Sequence, residues 1–147
     1  MMYHYNECGL RNVWLKNGFK RMQTPYGRGV SIDAIEDLHR IIVLELVMKP
    51  SKLASTEIRF LRKEMELSQA SLATMLGVSA QTLALWEKGK SRITAPSERL
   101  LRLVVKGHFE GSVAVRKMIA MLNDLDSEQN AKRFVFTERN KRWGLVG

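Results

Sequence analysis

Residue types that catalyse reactions or bind metals are scarce in this chain of 147 residues. The N-terminal stretch places His4, Glu7 and Cys8 close together. A structural zinc site normally needs four ligands and usually paired cysteines, but Cys8 is the only cysteine, and His39 and His108 stand at no recognisable ligand spacing. No motif around Cys8 indicates a nucleophile with an activating base. We therefore predict no metal site, no cofactor and no enzymatic activity.

The charge of the chain points to a different chemistry. It has 24 Lys and Arg residues against 15 Asp and Glu residues, which gives a formal net charge of +9 and a sequence pI near 10.0. A basic balance favours nucleic acid or another anionic surface as the partner. Many basic proteins bind no such partner, so the charge needs a structural motif beside it before it indicates a function.

The region Ser68 to Gly89 predicts two short helices that could position such contacts. Ser68 and Ser79 each stand where a serine caps the start of a helix, and apolar residues flank each of them at the spacing of a hydrophobic staple. Gly77 lies between the two helices, where the chain can turn through a left-handed conformation at little cost. A turn of about three residues between two helices is the spacing of a helix-turn-helix. The expected shared core consists of Leu72, Ala73, Leu76, Val78, Leu83 and Trp86.

The small Ala73, the turn glycine Gly77, the cap Ser79 and the sequence E-K-G-K after the second helix occur together at this spacing. This constellation resembles the lambda-repressor-like helix-turn-helix family, often called Xre or Cro/C1, over roughly Glu57 to Val105. An ordinary helical hairpin shares the caps and the glycine turn but not the whole set. The resemblance implies a DNA-binding domain whose second helix lies in the major groove.

Three outward-facing residues of the second helix are the predicted base-reading residues: Gln81, Ala80 and Leu85. The carboxamide of Gln81 can pair with the edge of adenine through two hydrogen bonds. Ala80 and Leu85 can only contact thymine methyl groups. Many relatives carry a polar or basic residue at the position of Leu85, so its apolar side chain leaves a packing role open.

The predicted contacts to the DNA backbone lie at the starts of the two helices and after the second one. In the resembling family a glutamine at the position of Gln69 commonly contacts the backbone, and the amides of a helix N-terminus favour phosphate. The full set is Gln69, Ser79, Thr82, Lys88, Lys90, Ser91 and Arg92. Alternatively, the residues after the second helix form a solvated loop that contacts no DNA. Arg59, Arg62 and Lys63 are weaker candidates.

The N-terminal region is predicted to contain strands. An Asn-Gly pair, Asn17-Gly18, separates the runs Asn12–Lys16 and Phe19–Met22, which predicts a β-hairpin. A further strand is expected at Tyr3–Tyr5. The proline and glycines of Thr24–Gly29 predict a loop.

Apolar residues at helical spacing predict further helices on both sides of the central motif. Ser31 would cap one that ends before Pro50. Another begins at Pro96 and is closed by Gly107. A fifth helix of the DNA-binding unit covers Ser112 to about Leu125, and its apolar face either completes the core or pairs with its copy in a dimer.

The C-terminal run Lys132–Arg139 has the β-branched and aromatic content of a strand. A lone strand needs a neighbour, for which the N-terminal hairpin of the same chain or of a second copy is the candidate. The predicted fold is therefore mainly α, with a five-helix lambda-repressor-like domain, a small N-terminal β-hairpin plus helix, and a C-terminal β-strand. The expected divisions are residues 1–50, 55–125 and 126–147. The start of the chain does not read as a signal peptide and no apolar run is long enough to span a membrane, so a cytoplasmic protein is expected.

These observations predict a sequence-specific DNA-binding transcriptional regulator, a repressor, that binds a palindromic operator in double-stranded DNA as a homodimer. The overall arrangement resembles antitoxins of the MqsA type, in which the N-terminal part carries zinc on cysteine pairs and engages a toxin. This sequence lacks those pairs, so the zinc is not expected here. The resemblance implies autoregulation of its own operon and a cognate toxin as a further partner.

Two other functions remain open from the sequence. One is a protein-interaction module whose degenerate helix-turn-helix binds a toxin-like partner instead of DNA, which the apolar Leu85 favours. The other is a general nucleic-acid binder held by charge alone.

Overall fold

The structure, a computed structural model, describes residues 1–111, 113–122 and 133–146. The described residues form six helices and three antiparallel strand pairs, so the prediction of a mainly helical chain is confirmed. The elements are β1 Tyr3–His4, β2 Trp14–Leu15, β3 Phe19–Thr24, β4 Gly27–Ile32, α1 Ile35–Val47, α2 Ser55–Glu64, α3 Gln69–Leu76, α4 Ala80–Glu87, α5 Ala95–Phe109, α6 Val113–Leu122, β5 Phe136–Arg139 and β6 Arg142–Leu145.

The core lies where helices α1 to α5 meet. Ile58 and Leu61 of α2, Leu72 of α3, Leu83 of α4 and Leu101 of α5 are its most deeply buried large side chains, together with Val43 and Val105. Burying each such side chain contributes about 1.5–3 kcal/mol relative to leaving it in water. No helix among the described residues combines the length and the apolar character needed to cross a membrane.

The N-terminal hairpin centred on Asn17-Gly18 is a wrong prediction. Strand β2 before the pair is bonded to β1, with Tyr3 opposite Leu15, and strand β3 after the pair is bonded to β4. A two-residue hairpin turn of type I′ needs positive φ at both central residues. Gly18 has φ +78, but Asn17 does not adopt a positive φ, so the chain bends there without closing a hairpin.

The predicted loop and helix cap that follow are also corrected. The loop Thr24–Gly29 is instead the tip of the β3–β4 hairpin, in which Thr24 is opposite Gly27 and only two residues form the turn. Ser31 lies in β4 opposite Lys20, and because α1 begins only at Ile35, Ser31 is too far from the helix start to cap it. Helix α1 begins after Ala34, which has φ 48 and makes no side-chain cap.

Gly107 does not close its helix, since α5 continues to Phe109. A β-carbon added to Gly107 would lie 2.8 Å from Cγ1 of Val115 in α6. The glycine therefore lets α6 pack closely on α5. The predicted fifth helix, Ser112 to Leu125, is observed at 113–122; Ser112, 123–125 and the side chains of Met118, Ile119 and Leu122 lie outside the described residues.

The C-terminal strand does not pair with the N-terminal region. Strand β5 pairs with β6, and Asn140 and Lys141 connect them with φ 54 and 61, as a type I′ turn requires. Within the chain, the prediction that the N-terminal hairpin is its neighbour was therefore wrong, and pairing between two chains stays a prediction. Lys132, the first residue of the predicted strand, lies outside the described residues.

A chain of hydrogen bonds attaches the N-terminal segment to the helices. The hydroxyl of Tyr5 lies 2.7 Å from Nε2 of His39 in α1, and Nδ1 of His39 lies 2.6 Å from the carboxylate of Glu64 in α2. Tyr5 is only 4% exposed. Its burial raises the pKa of the phenol to about 12.

Replacing Tyr5 by Phe should reduce the loss of stability at alkaline pH. The unfolded chain loses the tyrosine proton near the ordinary pKa of about 10, whereas the folded chain keeps it up to about 12. The stability that comes from this difference is complete below pH ~10 and is lost as pH rises towards the folded pKa. The free energy of unfolding, measured with urea from about pH 8 to 11, should fall less steeply in Tyr5→Phe than in the wild type.

Tyr26 supplies the control, because its side chain is fully exposed at the tip of the β3–β4 hairpin. Tyr26→Phe should follow the wild-type curve. Identical slopes for Tyr5→Phe and the wild type would contradict the link between burial and alkaline unfolding.

Candidate nucleic-acid interface

Helices α3 and α4 are joined by a tight turn, as the spacing predicts. The hydroxyl of Ser68 accepts a hydrogen bond from the amide of Ser71, and the hydroxyl of Ser79 accepts one from the amide of Thr82. Gly77 ends α3 in the left-handed conformation, with φ 70. These observations confirm both caps and the glycine turn.

A buried ion pair holds the two helices against α2. Nε and Nη2 of Arg62 donate to the two carboxylate oxygens of Glu87 at 2.6 and 2.9 Å. The side chains are only 12% and 3% exposed. Nη1 of Arg62 also donates to the carbonyl of Leu67 in the connection between α2 and α3, and the hydrogen bonds to Glu87 raise the pKa of the Arg62 guanidinium.

This pair was missed in the sequence. The sequence marks Arg62 only as a weak candidate for DNA contact and Glu87 only as part of the E-K-G-K run after the second helix. The structure gives both of them a structural role. The two residues stand 25 positions apart, so no local pattern marks them as partners.

The predicted base-reading residues lie on the outer side of α4. Ala80 and Gln81 are exposed and open the helix, while Leu85 lies one turn further and is 38% exposed. Within the described residues the carboxamide of Gln81 makes no hydrogen bond. Its donor and acceptor are therefore free for an external partner, whereas Leu85 offers only an apolar surface.

The predicted backbone contacts at the helix starts are held by hydrogen bonds within the protein. The side-chain Nε2 of Gln69 donates a hydrogen bond to Oε1 of Glu87 at 3.1 Å. The carboxylate of the ion pair therefore also positions the Gln69 side chain at the N-terminus of α3. The hydroxyls of Ser79 and Thr82 lie 2.9 Å apart. All three stand at the amino ends of the two helices, where backbone amides favour an anion.

The remaining predicted contacts follow α4. Lys88, Lys90, Ser91 and Arg92 are all exposed. In the part of the chain that the structure describes, none of the three cations forms an ion pair. The buried Ile93 directly after them anchors the end of this segment in the core, so the cations are exposed on a fixed connection.

A family model described as helix-turn-helix matches residues 58–106. The match covers a third of the chain and contains every predicted base and backbone contact. This helix-turn-helix domain suggests a DNA-binding regulator, and the family is generally not enzymatic. Comparisons with curated proteins and with solved structures find no match to this chain.

The residues considered for metal binding are not brought together. Among the described residues, no group of three or more His, Cys, Asp or Glu side chains could hold a metal ion. Cys8 is half-buried, and this burial raises the pKa of its thiol, which disfavours the thiolate that metals and electrophiles require.

Replacing Glu87 by Ala should destabilise the protein strongly. The change leaves the Arg62 guanidinium buried without its counter-charge and removes the partner of Gln69. Breaking a buried ion pair in this way costs about 3–5 kcal/mol. The free energy of unfolding from urea denaturation measures the loss.

The exposed pair Asp37–Arg40, whose side chains are 57% and 55% exposed, supplies the comparison. Asp37→Ala should change stability by less than ~1 kcal/mol. The double variant Arg62→Met/Glu87→Leu should recover much of the loss, since no unpaired charge is left. If Glu87→Ala costs no more than Asp37→Ala, the pair does not have the structural role assigned to it.

Proposed function

We propose that the chain is a sequence-specific DNA-binding transcriptional regulator that acts as a repressor. The observation that carries this proposal is the exposed, unbonded carboxamide of Gln81 at the start of α4, inside the region that the helix-turn-helix model matches. In this class of motif the N-terminal side chains of the second helix face base edges in the major groove.

In the proposed complex, Gln81 pairs with the edge of an adenine through two hydrogen bonds. Ala80 and Leu85 contact thymine methyl groups beside it. A single bidentate reading residue is worth about 1–3 kcal/mol of discrimination against a wrong base. Specificity therefore depends on few direct contacts and needs support from the contacts to phosphate.

Phosphate contacts come from two groups in this proposal. Gln69 stands at the start of α3, and Ser79 and Thr82 stand at the start of α4, where backbone amides favour a phosphate. Lys88, Lys90, Ser91 and Arg92 follow the DNA strand beyond α4. The hydrogen bond from Gln69 to Glu87 supports its role, because it holds the side chain at the N-terminus of α3.

One module of this kind covers about one half-site. Two copies with their recognition helices about one helical turn of DNA apart would bind a palindromic operator, so we propose a homodimer. We further propose that the protein regulates its own operon as an antitoxin with a toxin partner. Residues 55–125 would form the DNA-binding unit. Residues 1–50 and 126–147 would form two segments appended to it.

A second candidate function is a protein-interaction module. Leu85 is apolar where a base-reading residue is expected, and the β5–β6 hairpin exposes Phe136, Trp143 and Leu145 by 57%, 74% and 61%. An exposed apolar surface of this kind is typical of protein-binding sites. The following DNA-binding experiment distinguishes the two functions.

Replacing Gln81 by Ala should weaken binding to the preferred sequence by roughly 5- to 150-fold, equivalent to about 1–3 kcal/mol. The wild-type chain selects the probe from a random-sequence library of duplexes, and fluorescence anisotropy measures affinity for the enriched duplex and for a shuffled one. Affinity for the shuffled duplex should not change. Thr74→Ala is the control, because Thr74 is exposed on α3 and is not one of the proposed DNA contacts.

Other outcomes identify the other functions. If no sequence is enriched and no duplex is bound, the interaction module is supported. If enriched and shuffled duplexes bind equally and Gln81→Ala has no effect, charge alone holds the protein on DNA.

Replacing Lys90 or Arg92 by Gln should lower the salt dependence of binding. Each neutralised phosphate contributes about 0.9 to the slope of log affinity against log salt concentration, so each change should reduce the slope by roughly that amount. Lys106→Gln on α5 is the matched control, because it also removes one positive charge. The ammonium of Lys106 faces Glu110 in its own helix. Equal slopes in all four proteins would show that Lys90 and Arg92 contact no phosphate.

A further inference from the structure

The β3–β4 hairpin, residues 19–32, belongs to a segment with an extreme local charge. Between Glu7 and Asp33 the chain has five basic residues and no acidic residue: Arg11, Lys16, Lys20, Arg21 and Arg28. None of the five forms an ion pair within the described residues. Their positive charge is therefore uncompensated, unlike that of Lys49, Arg62 and Arg102 in the helices.

The register of the hairpin places both of its arginines and its glutamine on one face. Arg21 is opposite Val30, and Gln23 is opposite Arg28. Because side chains alternate between faces along a strand, these four residues share a face with the half-buried Phe19 and Ile32 at the hairpin base. The other face has Lys20, Met22, Thr24, Gly27, Gly29 and Ser31. Arg21, Gln23 and Arg28 are exposed, and the Arg21 guanidinium lies 5.9 Å from the centre of the Phe19 ring.

This face has the chemistry of a DNA-contacting ribbon. A two-stranded β-ribbon fits the major groove, where Arg pairs with guanine and Gln with adenine, and Arg also binds phosphate. Six residues in each strand span ~20 Å, enough to follow the duplex over several base pairs. Protein interfaces are instead enriched in aromatic anchors, and beyond Phe19 and Ile32 at the hairpin base this face has only Val30 as an apolar residue.

The hairpin joins the helical domain at the end where α2 passes into α3. Strand β4 leads through Asp33 and Ala34 into α1, and His39 in the second turn of α1 bonds to Glu64, the last residue of α2. Helix α3 begins five residues after Glu64 at Gln69. The hairpin is thus attached at the end of the domain that holds the N-terminus of α3.

We propose that the β3–β4 hairpin is a second DNA-binding element, which holds duplex DNA flanking the site read by α4 through Arg21, Gln23 and Arg28. This inference rests on the proposed DNA-binding function. The helix α4 supplies the sequence preference, and the hairpin supplies affinity that depends on the presence of flanking DNA.

The test uses the full chain and two duplexes that contain the sequence enriched by the wild type. The long one has about 40 base pairs, and the short one has about 16, which holds little more than the palindromic site. The double variant Arg21→Gln/Arg28→Gln should bind the long duplex roughly tenfold more weakly, with a salt slope lower by about 2 × 0.9. On the short duplex it should bind like the wild type.

The matched control is Lys16→Gln/Lys20→Gln, which removes two charges from the same segment but none from the proposed face. It should retain most of the affinity for the long duplex. Equal binding of the long duplex by the wild type and Arg21→Gln/Arg28→Gln would overturn the proposal. An acidic protein would then be the favoured partner of the basic hairpin. Equal losses in both double variants would also overturn it, since only the overall charge would matter.

Two measurements separate this inference from other failures. Hydroxyl-radical footprinting with the wild type should show protection outside the central site, and a footprint confined to that site would overturn the proposal even if a variant fails to fold. Gln81→Ala tests the proposed function independently. If it abolishes sequence preference while the hairpin variant binds normally, only the hairpin proposal fails; if the reverse holds, only the sequence-specific reading by α4 fails.

Discussion

The arrangement of the three helices at the centre of this protein depends on one buried carboxylate. Glu87 lies at the end of α4 with its side chain 3% exposed, and a charge at that depth is tolerated only with a partner and hydrogen bonds. Arg62 from α2 supplies both, and Gln69 from α3 adds a third donor. The cost of burying the charge is offset only when all three helices are in place, which makes their mutual orientation specific.

This constraint connects the interior to the surface. The same network that fixes α4 against α2 holds Gln69 at the start of α3, while the opposite side of α4 leaves Gln81 without a hydrogen bond within the described residues. A second polar chain, from Tyr5 through His39 to Glu64, fixes the N-terminal segment and α1 to the last turn of α2. Helix α2 therefore connects the segment that carries the basic hairpin with the helices proposed to read DNA.

The two terminal regions show why hairpins were harder to predict than helices. Asn17-Gly18 has the composition of a tight turn, yet Asn17 keeps a negative φ and the flanking strands pair elsewhere. Asn140-Lys141 has no glycine, yet both residues adopt the left-handed conformation and close a hairpin. A two-residue hairpin closes only when both turn residues adopt the left-handed conformation, and the composition of the turn indicates that conformation only indirectly.

The sequence by itself determined the central helices, their serine caps, the glycine turn and the exposed position of Gln81, because these depend on residues three or four positions apart in a helix. It also determined the absence of acidic residues between Glu7 and Asp33. Only the tertiary structure decided that Arg62 pairs with Glu87, that Gly107 admits Val115, and that Arg21 and Arg28 share a face. Each of these contacts joins residues distant in the chain, or on different strands, whose proximity follows from packing and register and leaves no mark in local spacing.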